Sequence, residues 1–209
     1  IPNFADEEYL SMDFTPDDDT VDIVFMGNVG VAQNLEDVVK GFKSALDKID
    51  DKNLIKLHIV GGGVRLDDIK KLVKELGIED SVKFYGQRPQ EEMPDFYKIA
   101  DACIVSLKAD NMIGLTFPAK VQGYMAAKKP VLGMIDGSCK KVINEASCGI
   151  CVSAGDIKGF SDAIVKFSME KDKWTEYGIN SKNYFLKHFR KDIHVKAIEE
   201  ELKRCIKDV

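Results

Sequence analysis

The sequence predicts an α/β domain: a doubly wound parallel sheet of about six strands flanked by helices, with a helical extension at its C-terminal end. Three observations carry this. Short β-branched and aromatic runs alternate with longer amphipathic segments over residues 21–170. Glycine-rich loops, GNVGVAQN and VGGGVRLDD, follow the first two of those runs. With 209 residues and 44% hydrophobic content, the chain is long enough for one sizeable domain or a domain plus appendages.

Residues 1–20 (IPNFADEEYLSMDFTPDDDT) are acidic and unpatterned, carry Pro2, Pro16 and consecutive aspartates, and are expected to form an extended linker. The first strand is expected over Asp22–Met26 and, after a glycine loop, a helix over Leu35–Lys48. The pattern repeats with a strand at Lys56–Val60 and a helix at Arg65–Leu76, then Val82–Tyr85 with Glu91–Ile99. A fourth strand, Ala102–Ser106, leads through a loop to a helix over Pro118–Ala127, where the proline suits the first helical position. Pro130–Met134 and Lys140–Ala146 follow, then Ile150–Val152 and Ile157–Phe167. Crossovers of this kind should be right-handed, with ligand at the carboxyl ends of the strands. Residues 171–209 read as two or more helices rich in Lys and Glu, packing back on the sheet or toward a neighbouring domain.

Composition narrows the function classes. No run approaches the roughly 20 apolar residues of a membrane span, and no signal peptide opens the sequence. The chain begins Ile1-Pro2-Asn3 without an initiator methionine and is expected to be a piece of a longer protein. A formal net charge of −5, with lysines spread along the chain, argues against a nucleic-acid-binding surface. Five cysteines include one CxxC, Cys148 to Cys151, without a second pair or a nearby histidine; reduced, mostly buried thiols are expected rather than a metal site.

Four stretches bear on chemistry. In GNVGVAQN, Gly27 and Gly30 permit close backbone approach to a ligand, and the helix start near Asn34 offers N–H groups to an anion. An ordinary glycine turn explains the stretch equally well, since neither GxGxxG nor a Walker loop is present. VGGGVRLDD has more glycine than a turn needs, and Arg65 opens the next helix; a flexible loop with a solvated arginine is the competing reading. In FYGQRPQEEMP, backbone beyond Gly86 is suited to a planar base edge and Arg88 to a phosphate. The fourth, LTFPAKVQGYMAAKKPVLG, has a lysine in the first turn, against the helix dipole, and an interior glycine costing about 1 kcal/mol. The N–H groups of Ala119, Lys120 and Val121 are expected to point out of that helix start, and a diphosphate beside Lys120 would remove the dipole conflict. Alternatively Lys120 bends into solvent. His58, His188 and His194 are scattered and read as structural or solvated.

Five motifs in order, GNxGxxQ, VGGG, VKFYGQRPQEEMPDFYKIADACIVSL, FPAKVQGYMAAKKPVLG and INEASCGICV, resemble the C-terminal, nucleotide-sugar-binding domain of family 4 glycosyltransferases of GT-B fold. The similarity covers nearly the whole chain, which resembles bacterial O-antigen and capsule transferases, including those of amino-sugar type. It implies a Rossmann-like domain, 21–170, behind an interdomain linker, 1–20, forming half of a GT-B enzyme whose N-terminal domain binds a saccharide or lipid-linked acceptor. It also implies a UDP-sugar or GDP-sugar donor, retaining transfer, no metal or other cofactor, and location in the cytoplasm or at the inner membrane face. Carried onto this sequence, Gly27, Asn28, Gly30 and Gln33 face the donor phosphates, with Gly62 alongside. Gly86 and Gln87 meet the base; Leu115, Thr116 and Phe117 line the sugar and β-phosphate; Pro118 and Ala119 lead to Lys120, which neutralises the leaving diphosphate. Departures are clear: Asn28 and Gln33 stand where relatives carry cations, leaving Lys120 as principal cation with Arg65 or Arg88 in reserve. Gly123 replaces the usual ribose-binding glutamate, so Gln122 or Glu145 is expected to substitute. Alternatives are a UDP-sugar 2-epimerase of the same architecture, a scaffold domain without nucleotide affinity, and, least favoured, an NAD-binding module.

Overall fold

The structure, a computed structural model, describes residues 7–11, 20–109 and 117–207. Its strands are β1 (Val21–Met26), β2 (Ile55–Val60), β3 (Val82–Gly86), β4 (Ala102–Ser106), β5 (Val131–Met134) and β6 (Gly149–Val152). They form one parallel sheet of order β3-β2-β1-β4-β5-β6, the Rossmann-like arrangement expected. Strands covered on both faces should be apolar at every position, and all six residues of β1 are buried. Alternate side chains feed two cores. Ile23 and Phe25 meet α1 (Leu35–Leu46), α2 (Leu66–Glu75) and α6 (Ile157–Met169) on one face. Val24 and Met26 meet α3 (Met93–Ile99), α4 (Lys120–Ala126), α5 (Gly137–Ala146) and α7 (Trp174–His188) on the other.

Because β2 and β3 build outward from one side of β1 while β4 returns to its other side, the strand order reverses between β1 and β4. Loops leaving those two strands diverge, opening a crevice at the carboxyl edge. Tyr124 fastens α4 beside that crevice: its fully buried hydroxyl is shared between the carbonyls of Met26 (3.2 Å) and Ile104 (3.3 Å). At the other end of β1, a buried polar network joins the strands. His58 bonds through Nδ1 to the Tyr85 hydroxyl (2.8 Å) and through Nε2 to Asp22, which also accepts from Thr20. Burial pushes the Asp22 carboxyl upward, but its hydrogen bonds to His58 and Thr20 outweigh that and hold it below the usual range.

The helix boundaries differ from expectation where backbone chemistry intervenes. The helix expected over Glu91–Ile99 is split into a 3-10 turn, Gln90–Glu92, and α3, because Pro94 lacks an N–H and is tolerated only in a first helical turn. α5 begins at Gly137 rather than Lys140. Residues 7–11 are not extended: Glu7–Ser11 is a 3-10 turn that buries Tyr9 with its ring edge-on to Tyr97 at 5.2 Å. The Glu7 carboxylate accepts the N–H of Lys191 (3.0 Å) at the start of α8 (Lys191–Lys207). α7 packs on the domain through Phe185, which is fully buried, and through the Ser181 hydroxyl donating to the Lys129 carbonyl (2.8 Å).

Tyr124→Phe should cost about 1–2 kcal/mol, because both carbonyls lose their shared donor in a buried setting. Urea unfolding followed by circular dichroism should show a lower midpoint with an unchanged slope.

Candidate functional site

Three loops are stitched together at the carboxyl edge. The Gly27 N–H donates to Val60 O (2.9 Å), Val29 N–H to Gly62 O (2.8 Å), Arg65 N–H to Val29 O (3.0 Å) and Gly61 N–H to Gly86 O (2.8 Å). This proximity explains the triple glycine. A Cβ on Gly61 (φ 147°) would lie 1.8 Å from the Gly27 carbonyl oxygen, and one on Gly63 (φ 149°) 2.4 Å from that of Val29. Gly62 differs: its Cβ would meet only Gln87, at an ordinary 3.5 Å.

Above this floor lie two cavities. One, of about 380 Å³, is bounded by Gly27, Asn28, the three glycines, Gln87 and Arg88; the other, of about 540 Å³, by Tyr9, Met26, Gln90, Tyr97, Ala119, Lys120 and Gly123. Both are lined by Gly27, Arg88 and Met93, so they form one trench. Among the described residues, its lining includes two cations, Lys120 and Arg88, and no Asp or Glu.

Lys120 is the distinctive group. Its ammonium sits over the Phe25 ring, 4.1 Å from the centroid, and along the backbone of Gly27, where a Cβ would lie 2.6 Å from Nζ. Among the described residues no carboxylate pairs with it. Burial therefore pushes its pKa down from 10.5 to about 8. The expected solvent-directed alternative does not occur. The neighbouring helix start is tighter than expected: Val121 N–H turns back to Pro118 O (3.0 Å) and Gln122 N–H to Ala119 O (3.1 Å). Val121 is thus no outward donor, contrary to the sequence reading.

The remaining expected residues separate into two groups. Gly27, Asn28, Gly62, Gln87, Arg88, Ala119 and Lys120 converge on the trench. Arg88 stays near it while its Nε donates to Tyr85 O (3.0 Å). Gly86, in the left-handed region (φ 68°), turns the chain into Gln87, but its carbonyl already accepts from Gly61. Gln33 braces the loop, its side-chain oxygen accepting the Gly30 N–H (3.2 Å) and its carbonyl accepting the Ser106 hydroxyl (2.6 Å). Arg65 is a correction: its guanidinium is held by Glu36, with Nε to Oε1 at 2.9 Å, and by Asp68 at 3.1 Å, and it lines neither cavity. Gln122 is another: at 1% exposure it is inside the core, because two residues along a helix rotate it about 200° from Lys120. Glu145 is also away from the trench, its carboxylate meeting the Tyr184 hydroxyl (3.5 Å). Phe117 packs on Phe189 at 5.4 Å, Pro118 is half-buried beside it, and Thr116 lies outside the described residues.

Tyr9, Met26, Gln90, Met93 and Tyr97 line the trench without a signal in their local sequence. The place beside Gly123 is held by the Tyr97 hydroxyl, 2.9 Å from where a Cβ would stand. Burial pushes the thiols of Cys103 and Cys151 up to about 12 and that of Cys148 to about 11, leaving them protonated. Among the described residues no three His, Cys, Asp or Glu side chains are grouped to hold a metal ion.

Comparison with known proteins adds a family. A profile described as glycosyl transferases group 1 matches residues 8–184. N-acetyl-alpha-D-glucosaminyl L-malate synthase of Bacillus anthracis is 25% identical over 177 residues, 85% of this chain and 44% of that protein. A GDP-mannose-dependent alpha-(1-6)-phosphatidylinositol monomannoside mannosyltransferase of Mycobacterium tuberculosis is 21% identical, over 81% of this chain and 44% of that protein. The chain therefore spans less than half the length of these relatives. The crystal structure of Anabaena HepE in complex with UDP superposes with a TM-score of 0.71 at 16% identity, covering 91% of this chain and 50% of that one. At this identity the likeness shows the fold.

Two outcomes follow from the geometry. Gly61→Ala should cost more than about 3 kcal/mol or prevent folding, whereas Gly62→Ala should stay within about 1 kcal/mol; urea denaturation of the pair checks this. Lys120→Met should stabilise the chain at pH 7 by up to about 3 kcal/mol. The unfolded chain holds the lysine proton to about pH 10.5 and the folded chain only to about pH 8. Wild-type stability from this group therefore rises between those values, and the advantage of the methionine should fade across that window in denaturation series run against pH.

Proposed function

The chain belongs to the group 1 glycosyl transferases, and from that premise we propose that it binds the nucleotide-sugar donor, a UDP-sugar, for a retaining transferase of cell-surface polysaccharide synthesis. The observation that carries this reading is Lys120: a desolvated cation without a carboxylate partner among the described residues, beside the Gly27 backbone, in a trench whose described lining has no acid. A diphosphate supplies the counter-charge that Lys120 lacks. With the diphosphate there, the base extends toward Gly62, Gln87 and Arg88.

The chemistry asked of Lys120 is electrostatic. As the sugar–phosphate bond breaks, negative charge accumulates on the departing diphosphate, and a cation fixed beforehand in a poorly solvated place stabilises that charge more than it stabilises the intact donor. In this reading Lys120 itself supplies the counter-charge, and no metal is assigned to the step. The acceptor, a saccharide or lipid-linked saccharide, is assigned to the part of the enzyme beyond this chain. The mannosyltransferase relative is named for a phosphatidylinositol-based acceptor, which supports a lipid-linked acceptor here. No helix among the described residues is long and apolar enough to cross a membrane, and we assign the enzyme to the cytoplasm or the inner membrane face. Family membership favours transfer over the epimerase reading, and the unneutralised Lys120 favours binding over a scaffold role.

Calorimetric titration with UDP, GDP and NAD tests the reading. Saturable UDP binding is expected, weakened at least about tenfold by Lys120→Ala at pH 7. Affinity should fall as pH rises above about 8, where Lys120 loses its proton in the free chain. Failure of a folded chain to bind either nucleoside diphosphate sinks the proposal.

A further inference from the structure

One wall of the larger cavity comes from neither the sheet nor its covering helices. Tyr9 belongs to the 3-10 turn Glu7–Ser11, is 5% exposed, and meets Tyr97 edge-on at 5.2 Å. Leu10 beside it packs on the same core. The turn is only five residues long, and its own side-chain bond, from the Ser11 hydroxyl to Glu8 O (2.8 Å), lies at the surface. A segment this short, with two apolar side chains to seat it, opens locally at small cost. Its position therefore depends on what it touches at each end.

One end faces the cavity, and the other holds α8. The Glu7 carboxylate accepts the Lys191 N–H (3.0 Å), a bond between positions 184 apart in sequence. A carboxylate there satisfies a donor that the first turn of a helix leaves over, and it sits at the positive end of the helix dipole. The next donors are met locally: Ile193 N–H goes to Asp192 Oδ1 (2.9 Å) and His194 N–H to Arg190 O (3.1 Å). No residue of α8 is in the described lining of either cavity, and its Ile193, Val195, Ile198 and Leu202 remain exposed. Whatever a ligand does to α8 must be carried by something between them.

We propose that the Glu7–Ser11 turn couples the two, so that occupancy of the larger cavity and docking of α8 favour the same seated position of the turn. Tyr9 answers to the ligand through its ring. Glu7, which does not line the cavity, is a positioning residue that acts through Tyr9. The inference rests on the nucleotide-sugar reading above, which supplies the ligand, and adds a conformational partner to that site. A ligand filling the cavity buries apolar surface against Tyr9, which stabilises the seated turn, and the seated turn holds Glu7 against Lys191. The linkage is reciprocal: the factor by which occupancy favours docked α8 is the factor by which docked α8 tightens binding.

Hydrogen exchange at the start of α8, followed by mass spectrometry with and without UDP, tests this. Wild type, Tyr9→Phe, Tyr9→Ala, Glu7→Ala and Glu7→Gln are compared at saturating UDP, with circular dichroism and melting curves confirming that each is folded. In wild type, UDP should slow exchange over residues 191–195 by at least about threefold. Tyr9→Phe keeps the ring and should retain that protection, whereas Tyr9→Ala and Glu7→Ala should lose it. Calorimetry should show UDP weakened about two- to fivefold by Glu7→Ala, and less by Glu7→Gln, which keeps an acceptor oxygen. Exchange in α8 that does not respond to UDP in wild type overturns the coupling and leaves the nucleotide reading intact. So does protection that survives undiminished in Tyr9→Ala and Glu7→Ala. Absence of UDP binding by folded wild-type chain overturns both.

Discussion

The site depends on a backbone contact that only glycine permits. Gly61 lies against the carbonyl of Gly27 and Gly63 against that of Val29, bringing the loops after β1 and β2 into one layer joined by four hydrogen bonds that also reach Gly86. Everything placed above the carboxyl edge uses that layer as its floor. The trench, the run of Lys120 along Gly27 and the approach of Gln87 to Gly62 all require the two loops to be this close. A side chain at position 61 would overlap the Gly27 carbonyl, its Cβ only 1.8 Å from that oxygen, and force the two loops apart.

On that floor the protein keeps an electrostatic imbalance. Other exposed or half-exposed cations in the described chain are commonly neutralised locally, as Arg65 is by Glu36 and Asp68 and Lys43 is by Asp47. Among the described residues Lys120 has no carboxylate partner; it lies over the face of Phe25 and beside the backbone of Gly27. A cation–π contact returns part of what desolvation removes, but less than a carboxylate would, and burial holds the pKa of Lys120 down. The unliganded domain is thus less stable than it would be with an apolar residue at this position. This is the expected relation between a functional cation and the fold that carries it.

Much of this was legible in the sequence, and what was not shares a cause. Strands such as Ala102–Ser106 were readable because burial on both faces forces an uninterrupted apolar run, and Gly27, Gln87, Arg88 and Lys120 were readable because they follow strands or open a helix. The misses are pairings between distant positions. Arg65 looked like a phosphate ligand until the fold set Glu36 against it, 29 residues upstream. Gln122 looked polar and available, yet its angular position on α4 turns it into the core. Gly123 stood where the resemblance put a ribose-binding glutamate, and the fold places the Tyr97 hydroxyl from another helix beside it. Local chemistry identifies which residue types stand at the edge of the sheet; only the packed structure decides which are already satisfied.

Tyr9 alters how the limits of the domain should be drawn. By composition, the fold begins at β1, and the acidic stretch before it is mere tether. Yet the 3-10 turn Glu7–Ser11 lays Tyr9 into the cavity wall against Tyr97, while Glu7 anchors the first residue of α8. A recombinant boundary placed just before β1 would preserve every strand and every covering helix. It would still strip an aromatic wall from the cavity and unfasten the final helix, giving a folded protein whose weak ligand binding would be mistaken for lack of function.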